Sequence, residues 1–424
     1  MKQFQNFNYR ITLCTFLCIC IPFFAIAQDF DKEEDQDQDT EVERNKVDFN
    51  LGTGLTFSLN DNQYQFNLSG FIQPGITSTK IAGLERQNEL NSRRSYLMFS
   101  GNAVKEKVSF LFQLDYSSSE PLLDAWLAYH PHKTTTITVG QKQTFLNNRE
   151  MMFREDRLQF TNRSFLSENL SETGREFGVF IESKFGEKFG IAPMIAVTSG
   201  DGRNSFGANS RDADFGGVKF GGRLDLFPLG FFKEGNDLMS ADLMHEEELK
   251  FVLGAAASKN IGATNATGEG HGDFLLYGLD GKNSLPDYSQ IYIDLLLKYN
   301  GFSFLGEYAN ASASNIDQVY IDNAASQILA PQQISEFLYL GNSYNLQAGY
   351  VTKTGISFDM RFKNASPEFN TNANSILQDM NAFTYGVSKY YNNNALKIQA
   401  AYTSMNPSVG SGVNQFELLF QIAF

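Results

Sequence analysis

Beyond residue 20 the chain has no cysteine: Cys14, Cys18 and Cys20 are the only three in 424 residues. Disulfides therefore cannot hold the rest of the chain, and its stability must come from backbone pairing and packing. Histidine is nearly as scarce, with only His130, His132, His245 and His271. No G-x-S-x-G elbow, phosphate-binding glycine loop or Cys/His cluster occurs, so no catalytic, cofactor-binding or metal-binding residue is expected. His130-x-His132 offers two ligands at one turn, a weak metal site better read as a polar turn. Long apolar runs are missing too: past the N-terminus none approaches the roughly 18 residues of a membrane helix. Positive charge is short, with 34 Lys and Arg against 48 Asp and Glu and a net charge of −14. That balance argues against nucleic acid as a partner.

The N-terminus reads as an export signal. Lys2 and Arg10 precede a short apolar stretch, Ile11 to Phe24, and Ala25-Ile26-Ala27 forms a cleavage site. Residues 1–27 are thus expected to be a signal peptide. The stretch is short for a membrane anchor, and no cysteine follows the small residues of a lipoprotein site. Removing Lys2 and Arg10 takes the net charge from −14 to about −16. Residues 28–46, with the run DFDKEEDQDQDTEVE, read as a solvated, disordered acidic leader. Residues 47–424 remain as the folded domain.

What is abundant is aromatic: 39 Phe and 18 Tyr, with 35 Gly, in a chain whose mean hydropathy is −0.29. A large secreted β-protein fits this, as does a transmembrane barrel, whose alternating faces dilute hydropathy. The pattern is period two. Val108, Phe110, Phe112, Leu114 and Tyr116 line one face with Ser109, Gln113 and Asp115 opposite, and Phe416 to Phe424 repeats the device. Sixteen such segments are expected, near 64–77, 91–101, 107–117, 121–130, 134–144, 174–184, 188–199, 214–227, 248–259, 288–299, 302–311, 343–352, 355–364, 380–391, 395–404 and 413–424. Most are long enough to cross a bilayer as tilted strands, which takes roughly 9–11 residues. Connections alternate between short turns, such as Gly186-Glu187 and Asn300-Gly301, and long loops, such as 145–173, 260–287 and 312–342. A soluble sandwich would show shorter strands and turns short at both ends. The expected fold is therefore all-β, a transmembrane antiparallel barrel of about 16 strands in an outer membrane. Segment 228–247 is long although it falls on the short-turn side. Phe49 to Leu59 also alternates, and either tucks into the lumen or adds to the strand count.

Several segments resemble the phosphate-selective porin O and P family of outer-membrane channels. Arg93-Arg94-Ser95-Tyr96-Leu97-Met98-Phe99-Ser100-Gly101 is similar to its R-R-x-R strand, and Asp124-Ala125-Trp126-Leu127-Ala128-Tyr129 to its D-A-aromatic strand. Arg175-Glu176-Phe177-Gly178-Val179 and the TSGDGRN stretch at Thr198 to Asn204 add to the likeness. The resemblance implies a homotrimer and a third external loop folded into the pore. Two departures bear on selectivity: Tyr96 stands where the family has a third arginine, and Lys142 is displaced by one residue.

Loop 145–173 is the third external loop by strand count. In it Arg149, Arg154, Arg157 and Arg163 alternate with Glu150, Glu155, Asp156 and Glu168. Guanidinium groups offer donor forks to anions, and facing carboxylates set a transverse field. An exposed loop whose ions pair among themselves would read the same way. Outward Leu97 and Phe99 put Arg94, Tyr96 and Met98 toward the lumen, and Asp124 lies opposite an outward Leu123, Ala125 and Leu127. A charge facing lipid costs about 2–4 kcal/mol at mid-membrane. Arg93, Arg94, Asp124 and Lys142 are therefore expected to line the pore with the loop arginines. The function expected is passive diffusion of small hydrophilic solutes or inorganic anions in a barrel embedded in outer-membrane lipid. Its rivals are an anion-selective pore, a barrel lipase or protease, and a structural barrel with a plugged lumen.

Overall fold

A computed structural model describes residues 46–60, 63–171, 174–204 and 215–424. The expected signal peptide and the leader up to residue 45 lie outside the described residues, as does 205–214 of the long loop after Thr198. Lys46, expected to end the leader, is already the first residue of a strand.

All sixteen expected strands are present. After a short hairpin, β1 (Lys46–Asn50) and β2 (Gly54–Leu59), come β3 (Tyr64–Ile81), β4 (Arg86–Ala103), β5 (Val108–Asp115) and β6 (Leu122–His132). Then follow β7 (Thr135–Gln143), β8 (Arg175–Ser183), β9 (Gly190–Thr198), β10 (Lys219–Phe227), β11 (Lys250–Asn260) and β12 (Asp287–Tyr299). The last are β13 (Phe302–Ser314), β14 (Gly341–Val351), β15 (Ile356–Pro367), β16 (Met380–Tyr391), β17 (Leu396–Pro407) and β18 (Val413–Ala423). Each pairs antiparallel with the next, and β18 returns to β3, from Val413 against Ile81 to Ala423 against Phe71. The result is a closed antiparallel barrel of 16 strands, β3 to β18, with no free edge in its wall.

The β1–β2 hairpin does not widen this ring. β2 pairs with the first five residues of β3, from Leu55 against Leu68 to Leu59 against Tyr64. It thus continues the edge that β18 leaves unpaired below Phe71. Phe424 clips the junction by exchanging main-chain hydrogen bonds with Gly70 at 2.8 and 2.9 Å. Since β1 is exposed throughout, the segment does not enter the lumen.

The wall alternates as its sequence does. On β12, Gln290, Tyr292, Asp294, Leu296 and Lys298 are buried inside, while Ile291 and Ile293 are 49% and 54% exposed outside. Phe99, Leu127, Val139, Leu253, Phe358 and Phe383 continue this apolar exterior around the ring. An apolar surface of such extent is stable only against lipid. Tyr299, Phe302, Tyr350 and Tyr391 gather outside at the short-turn end, the level where aromatic side chains suit an interface. No described helix is long and apolar enough to cross a membrane.

Two bulges break the parity. The β3–β4 register slips between Gln73 and Pro74, leaving Arg93 unpaired beside Arg94. Strict alternation would turn Arg93 outward, but the bulge lets both side chains point inward. A second slip, on β5 and β6, leaves Leu123 extra. Leu123 was expected outside with Ala125 and Leu127. Instead it packs inside with Phe71, Tyr96 and Met98, a correction that period-two reading could not supply.

The long connection on the short-turn side, 228–249, has a clear structural role. It folds up into the barrel, where Lys298 donates to Asn236 O at 2.5 Å, Asn236 Oδ1 at 3.1 Å and Ala241 O at 2.8 Å. Phe232 of this turn joins Phe153, Leu158, Val252, Leu296 and Leu305 in one apolar cluster. The turn thus occupies part of the lumen at its short-turn end.

Candidate functional site

Loop 145–171, the third on the long-loop end, lies inside the barrel and is bonded to many of its wall strands. Arg149 reaches Asp294 on β12 at 2.5 Å and Asp225 on β10 at 2.8 Å. Arg223 completes a square, meeting the same two carboxylates at 2.8 and 2.5 Å. Glu150 pairs with Arg361 on β15 at 2.6 Å and accepts from Ser164 N and Ser167 Oγ, each at 2.7 Å. That contact also caps the start of a short helix, α1 (Phe165–Leu170), whose N-cap is Ser164. Farther along, Lys397 on β17 donates to Asp156 O at 2.6 Å, and Gln399 donates to Gln159 O at 2.9 Å. Gln159 donates to Asp359 on β15 at 2.5 Å, and Thr161 to Glu417 on β18 at 2.7 Å. The loop therefore crosses the lumen rather than standing outside it. Its charges bond both to the wall and to one another.

Each residue singled out from the sequence has a definite place here. Arg93 pairs with Glu417, Thr77 and Asn162, and Arg94 donates to Gln73 at 3.0 Å and Thr161 O at 3.4 Å. Asp124 is buried against Arg175 at 2.9 Å. Lys142 pairs with Glu182 and lies over the rings of Phe145 and Phe180. Arg149 and Arg163 are buried, Arg163 against Glu155 and loop carbonyls. Arg154 pairs with Asp156 in two parallel bonds and is half-exposed, as is Arg157. Met98 turns its sulfur toward Arg154 within a small apolar patch, which accounts for a thioether on the lumen face.

The wall charges Asp225, Arg223, Asp294, Glu307, Asp359, Arg361, Lys363, Lys397 and Glu417 were not singled out as site residues from the sequence. Their signal was present, since each is a charge set at the inward parity of an alternating strand. Asp294 and Lys298 interrupt IYIDLLLKY at matching parity. The cost of turning such a group to lipid would have placed them inside.

Glu155 sits among Arg175, Arg163 and Arg94. Burial alone would raise its carboxyl, but these guanidiniums overcome it and hold the group well below the usual carboxylate range. A depressed folded value gives stability that is present above the unfolded value and lost as pH falls through the folded one. With an unfolded value of about 4.3, the Glu155 contribution should be intact at pH 5 and fade only under strong acid. The folded, heat-modifiable band on a gel should therefore persist down to about pH 4. Glu155→Gln should weaken it at every pH above about 4 and converge with the wild type in stronger acid, and a Glu155-dependent loss already at pH 6 would contradict this placement.

The lumen has a roofed half and an open half. Over β11 to β14, residues of the long loops, including Leu276, Val319, Leu329, Ile334 and Leu338, pack on Leu166 and Leu170 of α1. On the other half a cavity of about 260 Å³ lies between the crossing loop and strands β15 to β18. Phe160, Thr161, Asn162, Phe165 and Glu168 form its loop side, and Arg361, Lys363, Thr384, Thr403 and Glu417 are among its wall side. Its polar and charged lining suits water and hydrophilic solutes.

No protein family matches the sequence, and no curated protein matches it either. Solved structures do match in fold. The chain is similar to OprB of Pseudomonas putida, with a TM-score of 0.53 at 8% identity over 85% of this chain and 94% of that one. The outer membrane channel DcaP of Acinetobacter baumannii gives a TM-score of 0.52 at 10% identity, over 86% and 99%. OmpT of Vibrio cholerae, an outer membrane protein in its trimer form, gives 0.50 at 10% identity, over 85% and 99%.

Proposed function

We propose that this protein is an outer-membrane porin through which small hydrophilic solutes and ions diffuse passively. The observation that carries the reading is a closed barrel, apolar outside and charged inside, whose lumen is narrowed by a loop bonded across it. The likeness in fold to an outer membrane channel supports it. Export by a cleaved signal peptide and a Gram-negative outer membrane are part of the same proposal, as is assembly into a homotrimer like the OmpT form. No catalytic role is included.

Weak ion preference fits this interior better than strict anion selection. Arg93, Arg149, Arg154 and Arg163 each face a carboxylate, so little cationic potential is left over for phosphate. The missing third arginine at Tyr96 points the same way. The test is reconstitution of the purified barrel into planar bilayers, with reversal potentials measured across a salt gradient. Stepwise conductance with reversal near zero is expected. Strong anion selectivity would favour a phosphate-type pore instead, and absence of conductance would remove the channel reading altogether.

A further inference from the structure

Most charges inside this barrel are held by an ion pair or by hydrogen bonds, but two that share one cavity are held by neither. Lys363 on β15 and Glu168 on α1 both line the cavity on the open half of the lumen. Among the described residues neither makes an ion pair within 4 Å nor a side-chain hydrogen bond. They nevertheless feel each other's charge: loss of water contact raises the Glu168 carboxyl, and Lys363 is the foremost charge opposing that rise. Lys363 rests its ammonium 4.1 Å from the centre of the Phe165 ring, which steadies a cation without consuming its hydrogen bonds. Phe160 adds a second apolar surface, itself covered on one side by the Arg361 guanidinium at 4.2 Å. The neighbouring charges Arg361 and Glu417 are already committed, to Glu150 and to Arg93.

A small site with one free ammonium, one free carboxylate and an aromatic wall has a definite complement. We infer that this cavity is a binding subsite for small zwitterions of the amino-acid class. Lys363 would take the solute carboxylate and Glu168 its ammonium, and the solute side chain would lie along Phe160 and Phe165. A dicarboxylate would meet Glu168 and Glu417 unfavourably, and a diamine would meet Lys363 and Arg361. At about 260 Å³ the cavity falls just short of the roughly 300–1,000 Å³ of drug-sized pockets, which favours a single amino acid over an oligosaccharide. The inference rests on the porin reading, and it adds a solute class to it.

The experiment uses the purified full barrel in planar bilayers, with L-serine, propionate, ethylamine and glycerol as probes on the long-loop side. Transient current blocks are expected with L-serine at concentrations where the other three give few. Lys363→Met and Glu168→Gln should each weaken the apparent L-serine affinity at least about tenfold, as removal of a charge-assisted contact does. Glu168 is exposed on a loop helix, so its variant keeps the test valid should Lys363→Met fail to fold. Equal responses to all four probes overturn the inference while leaving the channel intact. So does an L-serine response that both substitutions leave unchanged. Should the barrel not conduct at all, the porin reading fails. Equilibrium dialysis of labelled L-serine against the detergent-solubilised wild type and Glu168→Gln then decides the subsite alone, with equal uptake overturning it.

Discussion

Asp294→Ala should lower the stability of the folded barrel by about 3–5 kcal/mol, the cost of stripping one partner from a buried ionic group. The Asp294 side chain is fully buried and accepts from Arg149 and Arg223 at 2.5 Å each. Without it two guanidiniums share Asp225 alone, and one buried positive charge lacks compensation. Arg149 is also where the crossing loop is fastened to the wall. Its release should let the loop move and raise single-channel conductance severalfold. Urea titration in lipid, followed through the fluorescence of the sole tryptophan, Trp126, gives the first quantity, and planar bilayers give the second. Adding Arg149→Met to Asp294→Ala should recover part of the lost stability, because it removes the unpaired charge. A midpoint shift equivalent to less than about 0.5 kcal/mol, the range of ordinary surface substitutions, would show that water relieves the square and that it does not fasten the loop.

Lys298→Met acts at the other end. The ammonium is fully buried and holds the 228–249 turn through two carbonyls and an amide oxygen of Asn236 and Ala241. The substitution leaves these acceptors unpaired beside Asp242 and Glu246. A hydrogen bond to a charged group is worth about 1.5–3 kcal/mol, so losing three should exceed what holds one turn in place. The turn is expected to leave the lumen. Limited proteolysis from the short-turn side should then cut between Phe231 and Glu247, where the wild type is expected to resist. Conductance should rise as well. If cleavage and conductance both stay at wild-type values, the apolar contacts of Phe232 and Met239 suffice to hold the turn.

These two sites mark the boundary of what the sequence makes legible. The sixteen wall strands could be read because lipid outside and water inside impose strict alternation, and their bounds agree to within a few residues for most. Leu123 was not legible in the same way, and the cost of a charge in lipid, not alternation, placed Arg93 inside, since each sits at a bulge and a bulge leaves no mark on a period-two pattern. The crossing loop could be located from strand count and charge, but not its partners. Asp225, Asp294 and Arg361 meet it from 76, 145 and 211 residues along the chain, and such pairing depends on curvature around the ring. The turn at 228–249 was visible only as an excess of length. Its purpose depends on Lys298, some fifty residues later in the chain.

Joining β18 to β3 also sets the order in which the protein can be made. Val413 must find Ile81 and Ala423 must find Phe71, so the ring lacks its last seam until the final residues have been delivered. Every earlier state is an open, twisted ribbon with two bare edges, prone to pairing with any neighbouring chain. Contacts of such sequence separation make closure slow. The chain thus needs protection from its own kind from the time it leaves the ribosome until Phe424 reaches Gly70. Cutting away the last strand should leave a ribbon with no ring to stabilise it, and the loss should appear as aggregation rather than as a leakier pore.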